Sequence, residues 1–225
     1  MKKLSLRLLS LASLVSKGSF VADVGSDHGA LPIFLTNEGI SPLTQAIENK
    51  KGPFSRLQKA VYEEASDPES ILLSLSDGLS DLDPRMDTVV LAGMGGLLIS
   101  SILEKHPEKL EKVKTLIIDA HKEKKEVLLT TAKLGFKVAE EIFIEEDGIF
   151  YSLWKLEKTA ERIEYSETEL LFGPYESHRK GEVWRRYMAS EEKRLNNLLA
   201  KPLSPQRREE IVKTLSLLKE SQDEH

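Results

Sequence analysis

The stretch VADVGSDHG, residues 21–29, decides how this chain is read. Phe20, Val21, Ala22 and Val24 read as a buried strand. Asp23, Gly25, Ser26, Asp27, His28 and Gly29 form the turn that follows it. Residues 30–37 then read as a helix, with Pro32 tolerated in its first turn. A strand, a glycine-bearing turn and a helix make the entry to a nucleotide-type site in open α/β sheets. Gly25 and Gly29 would admit a ligand close to the backbone, and the helix N-terminus would favour a negative group such as a carboxylate. The spacing is D-x-G-x-x-x-G, which is neither the G-x-G-x-x-G of dinucleotide sites nor the lysine-bearing loop of phosphate-binding NTPases.

Working outward, residues 1–17 read as an amphipathic helix closed by Gly18. Leu4, Leu8, Leu11 and Val15 lie on one face, with Lys2, Lys3 and Arg7 outside it. The two lysines and the leucines imitate a secretory signal, but Arg7 interrupts the apolar run and no small-residue cleavage site follows. Strands are expected at 43–47, 71–75, 88–91 and 113–118, with helices opening at Gly52-Pro53, at Leu97 and at Lys122. Segments 136–144 and 149–156 read as two strands joined by a tight turn through Glu145, Glu146, Asp147 and Gly148. Alternation of strand and helix demands a mostly parallel sheet with helices on both faces, and the terminal hairpin adds one antiparallel strand. After about Lys158 helical spacing takes over. A long helix over 176–201 carries Trp184, Met188, Leu195, Leu198 and Leu199 as its stripe. Ser204 and Pro205 open a last helix striped by Ile211, Leu215 and Leu218, and the two should pack antiparallel. The expected domains are 1–158 and a helical, coiled-coil-like 159–225.

Composition removes several kinds of chemistry. The chain has 225 residues and no cysteine, so disulfides, thiolate metal sites and cysteine nucleophiles are excluded. The five histidines show no paired metal-ligand spacing, and no apolar run reaches membrane-spanning length. A formal net charge of −5 means that a polyanionic partner would have to meet a local basic patch. Such a patch is on offer in Arg179, Lys180, Arg185, Arg186, Lys193, Arg194, Arg207, Arg208 and Lys213, although Glu182, Glu191, Glu192, Glu209 and Glu210 interrupt it. A solvated, salt-bridged face is the plainer account of the same residues.

Acidic or glycine-rich turns fall after each of the first four strands, where open α/β sheets bind ligands. The acidic residue two before the first glycine of residues 21–29 resembles motif I of class I S-adenosylmethionine (AdoMet) methyltransferases. That resemblance implies a Rossmann-like fold whose seven-stranded, mostly parallel sheet has one antiparallel strand beside the fifth, here followed by a C-terminal α-helical hairpin. It places Asp23, Gly25, Ser26 and His28 toward the methionine half of AdoMet. Glu48 becomes a bidentate acceptor for the ribose hydroxyls. Asp77, followed by Gly78, becomes an acceptor for the adenine amine, with an ordinary Asp-Gly turn as the competing account. The loop Ala92-Gly93-Met94-Gly95-Gly96 lacks the Asn/Asp-Pro-Pro-aromatic motif of exocyclic-amine methyltransferases. Its glycines offer a floor near the methyl group, or simply allow close helix packing, and Met94 adds a polarisable contact.

In order and spacing, VADVGSDHG-x-LP, the E-x-x-x-G-P-F of residues 48–54, Ser76-Asp77-Gly78-Leu79, AGMGG, EEDG with Tyr151, and Leu171-Phe172-Gly173-Pro174 resemble the TrmK family over nearly the whole chain. That family N1-methylates adenine 22 in the D-arm of tRNA. The resemblance implies AdoMet as cofactor, tRNA as partner, no metal and no membrane, in a cytoplasmic monomer. One departure is Asp119-Ala120, where similar proteins usually carry Gln-Pro. Asp27 is the expected stabiliser of charge developing on the purine, with Met94 beside the methyl group. His28 donates to the target or packs in the turn. Arg7 binds phosphate, orients the base, or is a plain surface arginine. Another RNA or a small molecule as acceptor, or a decayed AdoMet-binding interaction protein, are the alternatives these residues leave open.

Overall fold

Val21–Val24 is buried at every position and forms the central strand, β1. Val21, Ala22 and Val24 are the apolar residues of this doubly buried strand, and Asp23, expected in the turn, is instead its third residue, opposite Ala46 and Val90. The computed structural model describes residues 4–26, 28–174 and 181–223, so Asp27, Arg179 and Lys180 lie outside the described residues.

Within that range α1 is Leu6–Leu14, α2 Ala30–Asn37, β2 Thr44–Glu48, α3 Lys51–Glu64, β3 Ile71–Leu75, β4 Thr88–Met94, α4 Gly96–Lys105 and β5 Thr115–Ala120. Then come α5 Lys124–Lys133, β6 Phe136–Glu146, β7 Ile149–Lys158 and α6 Glu167–Phe172. The long helical elements Glu182–Leu199 and Pro205–Asp223 are here α7 and α8.

The sheet order is β3-β2-β1-β4-β5-β7-β6. β1 pairs in parallel with β2 (Val21 opposite Thr44) and with β4 (Val21 opposite Thr88). From β1 the chain runs outward through β2 and β3 and returns to β4, so strand order reverses at β1 and β4. That reversal opens the crevice in which doubly wound folds bind ligands. β7 pairs antiparallel with β5, Asp119 opposite Leu153, as the hairpin pattern required. The β6–β7 connection is Asp147-Gly148 with both residues at positive φ, the conformation of the tight hairpin turn.

Several boundaries differ from the pattern reading for physical reasons. β4 runs to Met94, three residues beyond the apolar run, through a register shift between Ala92 and Met94. Bulges of this kind re-aim side chains beside functional sites. β5 starts at Thr115 because the Val113 amide is taken by the Leu110 carbonyl in a 3-10 turn. α1 is shorter than the amphipathic pattern and is capped by the Ser5 hydroxyl. Leu11, Ala12, Leu14 and Val15 are buried, whereas Leu8 is only half-buried and Arg7 is half-buried rather than outside. Burying aliphatics such as Leu11, Ile117 and Leu153 contributes roughly 1.5–3 kcal/mol each.

The chain divides into two compact units, Met1–Glu140 with Leu153–Glu164, and Glu141–Ser152 with Tyr165–His225. In the second, Phe172, Trp184, Met188, Leu195, Ile211 and Leu218 form a core of their own. Tyr187 packs with Phe143 and Phe150, ring centroids 5.1 and 5.6 Å away, and burial pushes its hydroxyl up to about 12. Ser166 and Glu169 cap α6 reciprocally, and Lys213 of α8 pairs with Glu167 at 2.7 Å.

Candidate active site

Two cavities lie at the C-terminal ends of the central strands. The larger, about 320 Å³, is lined by Gly25, Glu48, Asn49, Lys50, Pro53, Ser76, Asp77, Gly78, Met94, Leu98 and Ile102, among others. The smaller, about 230 Å³, is lined by Arg7, Asp23, Gly25, Ser26, His28, Gly29 and Ala92, among others. Gly25 borders both. Its φ is +83°, and a Cβ there would stand 3.1 Å from Met94 Cε. A side chain at this position would be strained and would crowd Met94 between the two cavities.

Each wall is held by backbone geometry. The Gly25 and Ser26 amides both donate to the Ile47 carbonyl, which ties the first turn to β2. Glu48 ends β2 with its side chain turned toward the start of α3. Its Oε1 accepts from the Asn49 and Lys50 amides, each at 2.9 Å. One oxygen is thereby anchored by two backbone amides. The Ser76 amide donates to the Glu48 carbonyl and brings the third turn alongside.

The remaining acidic groups differ in environment. Asp23 is 8% exposed, and burial pushes its carboxyl up to about 6. Asp77 is well exposed and pairs with Lys105 Nζ, which holds its carboxyl below the usual range. An amine approaching Asp77 meets a carboxylate already engaged by a lysine. Asp27 lies outside the described residues.

Arg7 is not a plain surface arginine. Its Nη1 donates to Asp119 Oδ2 at 2.7 Å, and His121 Nε2 lies 3.4 Å from the same nitrogen. The guanidinium rests against Gly93, where a Cβ would come within 3.3 Å of Nη1. The β4 bulge therefore supplies the seat for a side chain arriving from α1. Gly96 answers the other glycine question: its amide donates to the Lys122 carbonyl, and a Cβ there would lie 2.5 Å from the Lys122 and Glu123 carbonyl oxygens. Close packing of α4 against the loop after β5 requires glycine at that position.

The structure brings Gly25, Glu48, Asp77, Gly78 and Met94 to one cavity, and Arg7, Asp23, Gly25, Ser26, His28 and Ala92 to its neighbour. The pattern reading missed Leu98 and Ile102, one helical turn apart on α4, which give the larger cavity an apolar wall. Leu97 and Leu98, both exposed at the start of α4, were the available signal. It also missed Asp119 as the partner of Arg7, since 112 positions separate them. Among the described residues no group of three His, Asp or Glu is arranged to hold a metal ion, and no helix is long and apolar enough to cross a membrane.

A methyltransferase domain family matches residues 4–154. A tRNA (adenine(22)-N(1))-methyltransferase of Bacillus subtilis (strain 168) is 30% identical over 187 residues, which is 81% of this chain and 78% of that protein. The chain belongs to the tRNA (adenine(22)-N1)-methyltransferase family. A Streptococcus pneumoniae protein solved in complex with S-adenosyl-L-methionine is 30% identical with a TM-score of 0.89, covering 97% of this chain and 99% of that one. M. capricolum TrmK, solved with the cofactor product S-adenosyl-homocysteine, is 25% identical with a TM-score of 0.86 over 96% of each chain.

In this methyltransferase the buried Asp23 has a measurable consequence without any ligand. Its folded pKa is raised, so its contribution to stability is fully present below about pH 4 and is lost as pH rises through about 6. Asp23→Asn removes the buried charge. The variant should be more stable than wild type at pH 7.5 by on the order of 2 kcal/mol, with the gap closing toward pH 4. Paired denaturant titrations at the two pH values check this; a variant less stable at pH 7.5 contradicts the burial account.

Proposed function

We infer that this protein transfers the methyl group of AdoMet to N1 of adenine 22 in the D-arm of tRNA, by direct in-line transfer. The observation that carries the reading is the pair of cavities that both border Gly25, one lined by Glu48 and an apolar wall, the other by Asp23 and Arg7, in a chain of this family. The residues fit AdoMet on their own chemistry. Glu48 Oε2 suits the ribose hydroxyls, because Oε1 is committed to two backbone amides. Leu98 and Ile102 suit a flat purine, and Asp77 with Gly78 its edge. Asp23, Ser26, His28 and the start of α2, whose N-cap Gly29 offers no side-chain hydrogen bond, suit the charged methionine end. AdoMet supplies the electrophilic methyl group and the sulfonium charge.

The chain's own task is positioning. N1 of adenine is an uncharged lone-pair donor at neutral pH, so no general base is needed to begin. Holding N1 in line should supply most of the acceleration. Met94, Ala92 and Gly93 form the floor at that point, Arg7 forms one wall, and Asp27 is the further carboxylate proposed to face the ring. The target is stacked in folded tRNA and must be flipped or locally opened, at a cost of a few kcal/mol. The proposed working form is a cytoplasmic monomer, with 1–158 as the cofactor domain and 159–225 as a coiled-coil-like helical module for RNA.

Incubation with labelled AdoMet and unmodified bacterial tRNA should place label in wild-type tRNA and none in tRNA with A22 replaced. Label that persists without A22 would move the site, and label in small metabolites alone would replace the substrate class.

The helical module is proposed as the grip on the RNA backbone. Much of its basic surface is internally paired: Arg186 with Glu145, Arg194 with Glu191, Arg207 with Glu210 and Lys213 with Glu167. Arg185 and Lys193 stand exposed on α7. Reversing both to Glu should weaken tRNA binding about ten-fold and flatten its log–log salt dependence by about 2. Unchanged affinity and slope would assign the grip elsewhere.

A further inference from the structure

Asp119, near the C-terminal end of β5, has a setting that the cofactor site does not account for. It is 1% exposed, opposite Ala92 in the β4–β5 register. Oδ2 accepts from Arg7 Nη1 at 2.7 Å, while Oδ1 has no hydrogen-bond partner among the described residues. His121 Nε2 flanks the pair, 3.7 Å from Oδ2. Arg7 reaches from this anchor across Gly93 and borders the same cavity as Asp23 and Ala92.

The reaction gives this pair its meaning. N1 forms a bond to the methyl carbon through its lone pair, and the carbon–sulfur bond breaks with its electrons going to sulfur. No proton moves, and positive charge passes to the purine. A bare guanidinium beside that ring would oppose the charge as it develops. A guanidinium held by a buried carboxylate is nearly neutral as a unit, yet keeps a fixed fork of N–H donors. Resting on the function proposed above, we propose that Asp119 is a positioning residue. It fixes Arg7 at the acceptor end and cancels its charge, so that Arg7 serves the uncharged base as an oriented donor and not the phosphate backbone as an anchor.

The test compares wild type, Asp119→Asn, Arg7→Gln and the double variant, each assayed on tRNA and titrated calorimetrically with AdoMet. Wild-type labelling of A22 tests the function itself; the ranking of variants tests Asp119. Asp119→Asn should bind AdoMet within about two-fold of wild type and keep its KM for tRNA within about three-fold, while kcat falls about ten-fold or more. Adding Arg7→Gln, which removes the guanidinium charge that Asp119 no longer offsets but keeps an N–H donor, should raise kcat above that of Asp119→Asn. Three results overturn the proposal: an Asp119→Asn variant with wild-type kcat, one that no longer binds AdoMet, or a double variant no better than Asp119→Asn. The second would make Asp119 part of the core or the cofactor pocket, the third a packing residue alone.

Discussion

Parallel pairing of β1 with both β2 and β4 is the constraint from which the rest of the site follows. It aligns Val24 with Ile47 and Leu91, so the turns after these three neighbouring strands emerge at the same edge of the sheet. None of the three turns could form a cavity alone. Their proximity comes from strands buried on both faces, and Glu48 and Asp119 lie at or next to the C-terminal ends of theirs.

That arrangement handles its carboxylates in three different ways. Asp23 is buried and bears a desolvation cost, relieved when a cation comes near. Glu48 is anchored by backbone amides, which fix its orientation before any ligand binds. Asp119 is buried against a guanidinium. Leaving one partner of such a pair without the other is far worse than keeping or removing both, so Arg7 and Asp119 are expected to behave as a unit. Asp77 contrasts with these three, being exposed and screened, and its ion pair with Lys105 carries little structural weight.

The parallel sheet, its antiparallel β7 and the tight hairpin turn were legible because each rests on local chemistry: apolar runs, glycine at turn positions, and Asp147-Gly148 between two strands. The grouping of Glu48 with Asp77 and Gly25 was legible for the same reason, since fold topology brings strand ends together. Three features were not. The bulge at Gly93 looks like an ordinary glycine in a strand-to-helix turn, and only pairing with β5 reveals the register shift. The inward placement of Arg7 contradicts its polarity on an amphipathic helix, and is explained by a carboxylate 112 positions away. The grouping of residues 141–152 with the C-terminal helices reflects tertiary packing around Phe143 and Phe150, which strand periodicity does not encode.

The central claim is that Glu48 and its neighbours at the two cavities form the AdoMet site. Glu48→Gln isolates it, because the amide oxygen can still accept from Asn49 and Lys50 while the NH₂ that replaces the other oxygen cannot accept a hydroxyl. Calorimetric titration with AdoMet should give one site per wild-type chain and affinity roughly 10- to 100-fold weaker in Glu48→Gln, at an unchanged thermal midpoint. Equal affinity in the two proteins, or no heat with wild type, would contradict the account.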